Sequence, residues 1–366
     1  MVFDEHTARI ALTMIPGIGP VLSRRLVQHC GSAEMVFREK KKHLQSIEGI
    51  GTATLKLLSN KECFKKAEKE LKLMDKHGIY MLYFLDRDYP SRLKHCYDAP
   101  PLLYCAGKMN LNASRIVSII GTRKISDYGV QLTEQLVQEL VPYDVMIISG
   151  LAYGVDICAH RAAVENKIET VGVLAHGLDR IYPNTHASTA RKMMQHGGLI
   201  SDFPGDTNPD RENFPQRNRI VAGLSDAVIV VESGLKGGSM ITAEFAFNYN
   251  RDVFAFPGKV GDPLSAGCNA LIRSQKAGLI EGAEDLAKSM GWEMKKQQYA
   301  QQTQLPALNE SEEKIVAALR GMGNLHVDEI SSLADLAVSK TSSLLLSLEF
   351  AGVVKSLPGK LYRLNL

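Results

Sequence analysis

A chain of 366 residues has room for two or three domains, and 45% hydrophobic with 23% charged residues is the composition of a globular protein able to bury a sizeable core. No apolar run approaches the length of a membrane span, and the start, Met1-Val2-Phe3-Asp4-Glu5-His6, lacks a signal-peptide layout; a cytoplasmic protein with no membrane partner is expected. The net charge is only +3 but unevenly placed: residues 1 to 80 hold 14 Lys and Arg against 9 Asp and Glu, which suggests a polyanion partner.

The six cysteines are scattered without a C-x-x-C pair, so neither a zinc site nor a disulfide framework is indicated, and Cys158 reads as a small packing residue. The first 80 or so residues read as helical and carry a short repeat. Ile15-Pro16-Gly17-Ile18-Gly19 and Ile47-Glu48-Gly49-Ile50-Gly51 share the form apolar-x-Gly-apolar-Gly, each before a helix. This resembles the helix-hairpin-helix motif, whose glycines let a tight turn offer backbone N–H groups to a DNA phosphate, a contact without sequence information. The other reading is a hairpin pair kept for packing, with Lys40, Lys41 and Lys42 as a solvated face. A lysine-rich helix from Cys63 to Lys76 follows. Two strands are predicted around 80–85 and 102–106, separated by Asp88 to Leu93 and the Pro100-Pro101 break.

From Arg115 to about Met290 short apolar strands alternate with helices, the pattern of a doubly wound, Rossmann-like α/β domain. Strands are predicted at 115–120, 145–148, 170–174, 198–201, 227–231 and 253–256, and helices at 126–141, 154–166, 188–196, 217–224, 239–249 and 266–277. The first two strands have no polar face, as expected of strands buried on both sides of a parallel sheet. They end in Gly121-Thr122-Arg123 and in Ser149-Gly150-Leu151-Ala152-Tyr153-Gly154-Val155-Asp156. Strand, helix, strand in a right-handed crossover places both glycine loops at the C-terminal sheet edge, where open α/β sheets bind ligands. Their chemistry is anion binding: glycines allow close approach to backbone N–H groups, helix N-termini favour negative charge, and Arg123 can fork onto a phosphate. Phe214-Pro215-Gln216-Arg217-Asn218-Arg219 is expected to put two arginines at a helix start, to meet phosphate or bases, or else with one turned inward as an ion-pair partner. Ser233-Gly234-Leu235-Lys236-Gly237-Gly238-Ser239 suits a third cradle, with Gly258, Gly267 and Asn269 completing the rim.

G-x-G-x-x-G after the first strand and G-x-x-x-x-G-K-[ST] are both missing, so no nucleotide cofactor is expected. No catalytic triad or metal-ligand spacing stands out either. Asp156 reads as a helix-end residue satisfying N–H groups, and His160 as a core histidine or a titrating contact. Residues 295–306 form a polar, low-complexity linker ending at Pro306. Beyond it, helices at 310–320, 326–335 and 339–350 and a hairpin with Pro358-Gly359 at its turn make a winged helix. With 6 Lys and Arg against 7 Asp and Glu in residues 305–366, that module serves duplex binding poorly and suits a protein contact or an accessory role as well. The domains expected are thus 1–79, 80–294 and 307–366.

Together these motifs, with Gly238-Ser239 to Ala246 and Phe256-Pro257-Gly258, resemble the DNA-processing protein A (DprA, or Smf) family of bacteria over nearly the whole chain. The resemblance implies a non-enzymatic homodimer that binds single-stranded DNA and helps load the RecA recombinase onto incoming DNA in natural transformation. The DNA-binding residues expected are Gly121, Thr122, Arg123, Ser149, Gly150, Ala152, Gly154, Phe214, Arg217, Asn218, Arg219, Gly238 and Ser239. Gly237 to Glu244 is also similar to the G-G-x-G-T-x-x-E signature of lysine-decarboxylase-like (LOG-type) nucleotide phosphoribohydrolases. In that alternative Glu244 stabilises a ribosyl cation and Arg217 or Arg219 clamps the 5′-phosphate.

Overall fold

The computed structural model describes residues 4–294, 308–320, 324–351, 353–357 and 360–364. The 295–306 linker and the Pro358-Gly359 turn lie outside the described residues. The chain divides into two compact units, residues 1–295 and 296–366.

The first unit opens with six helices: α1 (Glu5–Thr13), α2 (Pro20–Cys30), α3 (Ala33–Arg38), α4 (Lys41–Leu44), α5 (Thr52–Leu58) and α6 (Glu62–His77). The sequence repeat becomes a pair of matching turns. Gly17 and Gly49 take positive φ (79° and 89°), a conformation that only glycine adopts freely, and Gly19 and Gly51 cap α2 and α5. Ile15, Ile18, Ile47 and Ile50 are buried beneath them. The two turns are packed together, since Arg25 of α2 donates to the Glu48 carbonyl at 2.7 Å.

The expected boundary at residue 79 falls inside a continuous apolar cluster that runs from Ala8 and Leu12 through Tyr83 and Leu103 into the sheet. Polar ties cross it as well. Arg9 pairs with Asp86 at 3.0 Å and stacks over Tyr83, and Glu70 accepts the Gly205 N–H at 2.8 Å.

The body runs β1 (Tyr80–Tyr83), α7 (Ser91–Lys94), β2 (Leu102–Lys108), β3 (Ile116–Ile120), α8 (Asp127–Leu140), β4 (Met146–Ser149), α9 (Val155–Glu165), β5 (Thr170–Val173), α10 (Ala187–Met193) and β6 (Gly197–Ser201). It continues with α11 (Asn213–Leu224), β7 (Ala227–Val230), α12 (Gly238–Asn248), β8 (Asp252–Ala255), α13 (Ala266–Arg273), β9 (Gly278–Leu279) and α14 (Ala283–Met290). The nine strands form one sheet in the order β1-β2-β6-β5-β4-β3-β7-β8-β9, parallel from β6 to β9 with β1 and β2 antiparallel at one edge. The chain leaves β3 in one direction and returns to β7 on its other side, so the switch point lies at the C-terminal ends of β3 and β7.

Alternation explains the unbroken apolar strands. Ile116 and Ile120 enter the cluster with α11 and α12, and Val117 and Ile119 enter the opposite one with α8, α9 and α14. Neither β9 nor α14 is expected from the sequence. A further difference is the start of α11, four residues before the expected Arg217. Pro215 is tolerated because it lies in the first turn, where backbone N–H groups have no intrahelical acceptor.

The second unit is a winged helix: α15 (Glu310–Leu319), β10 (Leu325–His326), α16 (Val327–Ala334), α17 (Val338–Phe350), β11 (Val354–Leu357) and β12 (Leu361–Leu364). Capping boxes start α15 (Asn309, Glu312) and α16 (His326, Glu329). Its own core is built from Ile315, Leu319, Ile330, Leu345 and Leu348.

Candidate nucleic-acid groove

At the strand ends of β3, β4 and β7 an open groove of about 1110 Å³ is lined by the expected loops: Gly121 to Arg123, Gly150 and Ala152, Phe214 to Asn218 without Gln216, and Ser233 to Ser239. Each loop is fixed from behind. The Thr122 N–H donates to the Glu232 carbonyl at 2.7 Å, while the Glu232 carboxylate accepts from the Ser126 N–H and hydroxyl at 2.9 and 2.5 Å. Glu232 therefore holds the turn that carries Arg123, and the glycine loop begins at the next residue. Gly121 packs so tightly on Val155 and the Glu232 carbonyl that no side chain fits there. Gly154, at φ 80°, is pressed on the backbone of Thr122 and Arg123 and does not line the groove.

The two arginines of the α11 motif part company. Arg217 is 3% exposed and lies against Gly150, where a Cβ would run into its guanidinium. The room that Gly150 makes is thus filled by Arg217, a correction to the expectation that it admits a phosphate. Arg217 donates to the Val173 carbonyl and faces Asp156, whose carboxylate accepts the Gly150 N–H at 3.1 Å. Burial pushes the Arg217 pKa down to about 10, which leaves it charged at neutral pH, and burial pushes the Asp156 carboxyl up against the pull of Arg217.

Arg219 is turned away altogether. It donates to the Asp98 carbonyl and pairs with Asp202 at 2.5 Å, outside the groove. The helical start explains this: residues two apart on a helix point about 200° apart, so only one arginine can face the strand ends. Ser149 is likewise buried, its hydroxyl donating to Ile119 at 2.6 Å. Asn218 donates to the Gly238 carbonyl at 3.2 Å, tying α11 to the start of α12, and the Ser239 and Ser233 hydroxyls share a 2.8 Å bond. Gly258, Gly267 and Asn269 do not form the rim. Asn269 bridges the two backbone groups of Gly258, and the Gly267 N–H donates to Ser233 at 2.7 Å, so they brace the glycine loop.

Three exposed cations remain on the groove: Arg123, Arg211 and Lys236. Among the described residues none of them is in an ion pair. Arg123 lies over the half-buried Phe214 ring, 4.9 Å from its centroid. Gly237 caps α12 without a side-chain bond, so the first N–H groups of that helix are left for another acceptor. Of the carboxylates on the lining, Asp156 faces Arg217 and Glu244 pairs with Lys276 at 2.8 Å. The groove is therefore electropositive.

Sequence reasoning missed Arg211, Lys236 and the exposed Tyr182. Arg211 stands as a lone cation ahead of the Phe214 motif, Lys236 lies inside the Ser233 to Ser239 loop whose glycines drew the attention, and Tyr182 comes from the loop beyond β5 and carried no local signal. His160 is fully buried and bonded to Thr170 at 2.7 Å, and burial pushes its pKa down to about 3, as suits a core histidine. Among the described residues no cluster of three or more His, Cys, Asp or Glu could hold a metal ion, and no helix is long and apolar enough to cross a membrane.

Residues 80–291 match the family model of DNA recombination-mediator protein A. The chain belongs to this family, known as DprA or Smf. Residues 300–360 match the DprA winged helix domain and 10–59 a SAM-like helix-hairpin-helix tandem. Protein Smf of Synechocystis is 31% identical over 99% of this chain and its own full length. The X-ray structure of DprA from Streptococcus pneumoniae superposes with a TM-score of 0.62 at 27% identity, covering 80% of this chain and 100% of that one. A Helicobacter pylori DprA structure, described in terms of its single-stranded DNA binding mode, gives 0.53 at 32% identity over 58% of this chain and 95% of that one.

Proposed function

We propose that this DprA-family chain binds single-stranded DNA in the groove and acts, as a cytoplasmic homodimer, as a recombination mediator that loads RecA onto incoming DNA in natural transformation. The observation that carries the reading is the meeting of three free cations, an uncapped helix N-terminus and an aromatic ring in one open trough. Arg123, Arg211 and Lys236 neutralise phosphates, the first N–H groups of α12 take one phosphate directly, and Phe214 stacks a base with Arg123 against it. Gly121, Gly154, Ser149, Arg217 and Arg219 serve by fixing the loops. The H. pylori relative, whose structure concerns single-stranded DNA, supports the choice of ligand.

The reading assigns no catalytic residue to the groove. It keeps residues 1–79, 80–294 and 307–366 as three modules joined by the 295–306 linker, the first two packed as one body. Its test is fluorescence anisotropy with a labelled oligonucleotide. Wild type should bind with little sequence preference and lose affinity as salt rises, and Arg123→Glu should weaken binding by about tenfold or more in low salt. Undiminished binding by that variant would show that the groove is wrongly assigned.

A further inference from the structure

The lysines of α6 form a line that the groove does not use. Lys61, at the helix cap, and Lys65, Lys69, Lys72 and Lys76 stand at i, i+4, i+8, i+11 and i+15, all exposed. At 3.6 residues per turn they fall within an arc of about 80° and run for about 22 Å along the helix, with rises of about 4.5 to 6 Å between neighbours. Glu62, Glu68 and Asp75 flank the line. Yet among the described residues only Lys69 of the five is in an ion pair, with Asp206 at 2.6 Å.

That one pair joins the line to the groove. Asp206 belongs to the loop whose Pro209 and Arg211 line the groove, three and five residues on and so within about 11 and about 19 Å of Cα path. Arg180 bridges the interval, holding Asp179 at 2.9 Å, Asn208 at 2.9 Å and, at 3.8 Å, the second oxygen of Asp206. The carboxylates on the way are thus largely matched. Asp210 and Glu212 are exposed and flank Arg211 in sequence.

We infer that α6 is a second contact site for the same single strand, carrying its phosphodiester backbone away from the groove across Arg180 and along the lysine line. This rests on the groove reading above. A file of evenly spaced single charges with no aromatic among them suits a polymer of evenly spaced single charges, and lysine contacts of this kind carry no sequence information.

The test uses the full chain with Lys65→Gln, Lys72→Gln and Lys76→Gln combined, after a thermal melt shows the fold intact. Labelled oligothymidylates of about 6 and about 20 nucleotides, spanning the range of single-strand site sizes, are titrated by anisotropy across a salt series. The triple variant should bind the short strand like wild type, bind the long one about tenfold or more weakly, and lose roughly two units of salt slope on it, as expected for three lost contacts. An unchanged long strand, or an equal loss on both lengths, overturns the inference and leaves the groove standing. A loss confined to a blunt duplex of about 20 base pairs overturns it too, since α6 would then serve a different ligand. If the triple variant loses the long strand while Arg123→Glu binds both lengths normally, the groove reading fails and the continuous path fails with it.

Discussion

Replacing Arg217 by Met separates its two conceivable roles. The guanidinium is buried against Gly150, bonded to the Val173 carbonyl and opposite the Asp156 carboxylate. Met fills a similar volume but leaves Asp156 as an uncompensated buried charge. Breaking such a pair costs about 3–5 kcal/mol, a fall in Tm of roughly 10 °C for a unit of this size. The deficit should depend on pH. Burial already raises the Asp156 pKa and Arg217 opposes that rise, so in the variant the folded-state value climbs further above the unfolded one of about 3.9. The folded variant then keeps a proton that the unfolded chain releases. Its stability relative to wild type is least impaired below about pH 4 and worsens as pH rises through the folded pKa. Thermal melts by circular dichroism from pH 4 to 8 read this out, and adding Asp156→Asn should recover stability at pH 7 and flatten the dependence. A variant with unchanged Tm and reduced DNA affinity would refute the reasoning, because it would make Arg217 a phosphate contact and nothing more.

Two further outcomes follow from the geometry. The His160 imidazole, neutral and bonded to Thr170, should show no titration by NMR between pH 8 and 5, since burial sets its pKa near 3; a transition near 6.5 would mean that the α9 to β5 packing is open to water. Because its folded pKa lies below the unfolded one, this group adds stability above about pH 6.5 that is lost progressively as pH falls towards 3. Incubation with AMP should release no adenine, as Glu244 is exposed and engaged by Lys276; release that disappears in Glu244→Ala would favour the phosphoribohydrolase reading instead.

The strands of the body were legible because a strand buried on both faces has no choice but to be apolar throughout, and Ile116 to Ile120 admits only Ser118. The paired turns at Gly17 and Gly49 were legible for a related reason: positive φ leaves a residue preference that survives in the sequence. The start of α11 was not, because Pro215 reads as a break until one sees that the first helical turn tolerates it. The expected helix from 217 already set Arg217 and Arg219 about 200° apart, so that one of them turns from the strand ends was legible and which one was not.

What the sequence determined by itself is the local frame: which segments are strands and where the glycine turns fall, since these depend on local conformation and periodicity. Tertiary packing alone decided which of the charged side chains face the groove. A guanidinium at the strand ends can point to solvent as Arg123 does, into the crevice below Gly150 as Arg217 does, or to Asp202 on the far side as Arg219 does, and nothing local distinguishes the three. The choice is made by where a buried carboxylate waits for a partner, and that is a property of chain segments far apart in sequence.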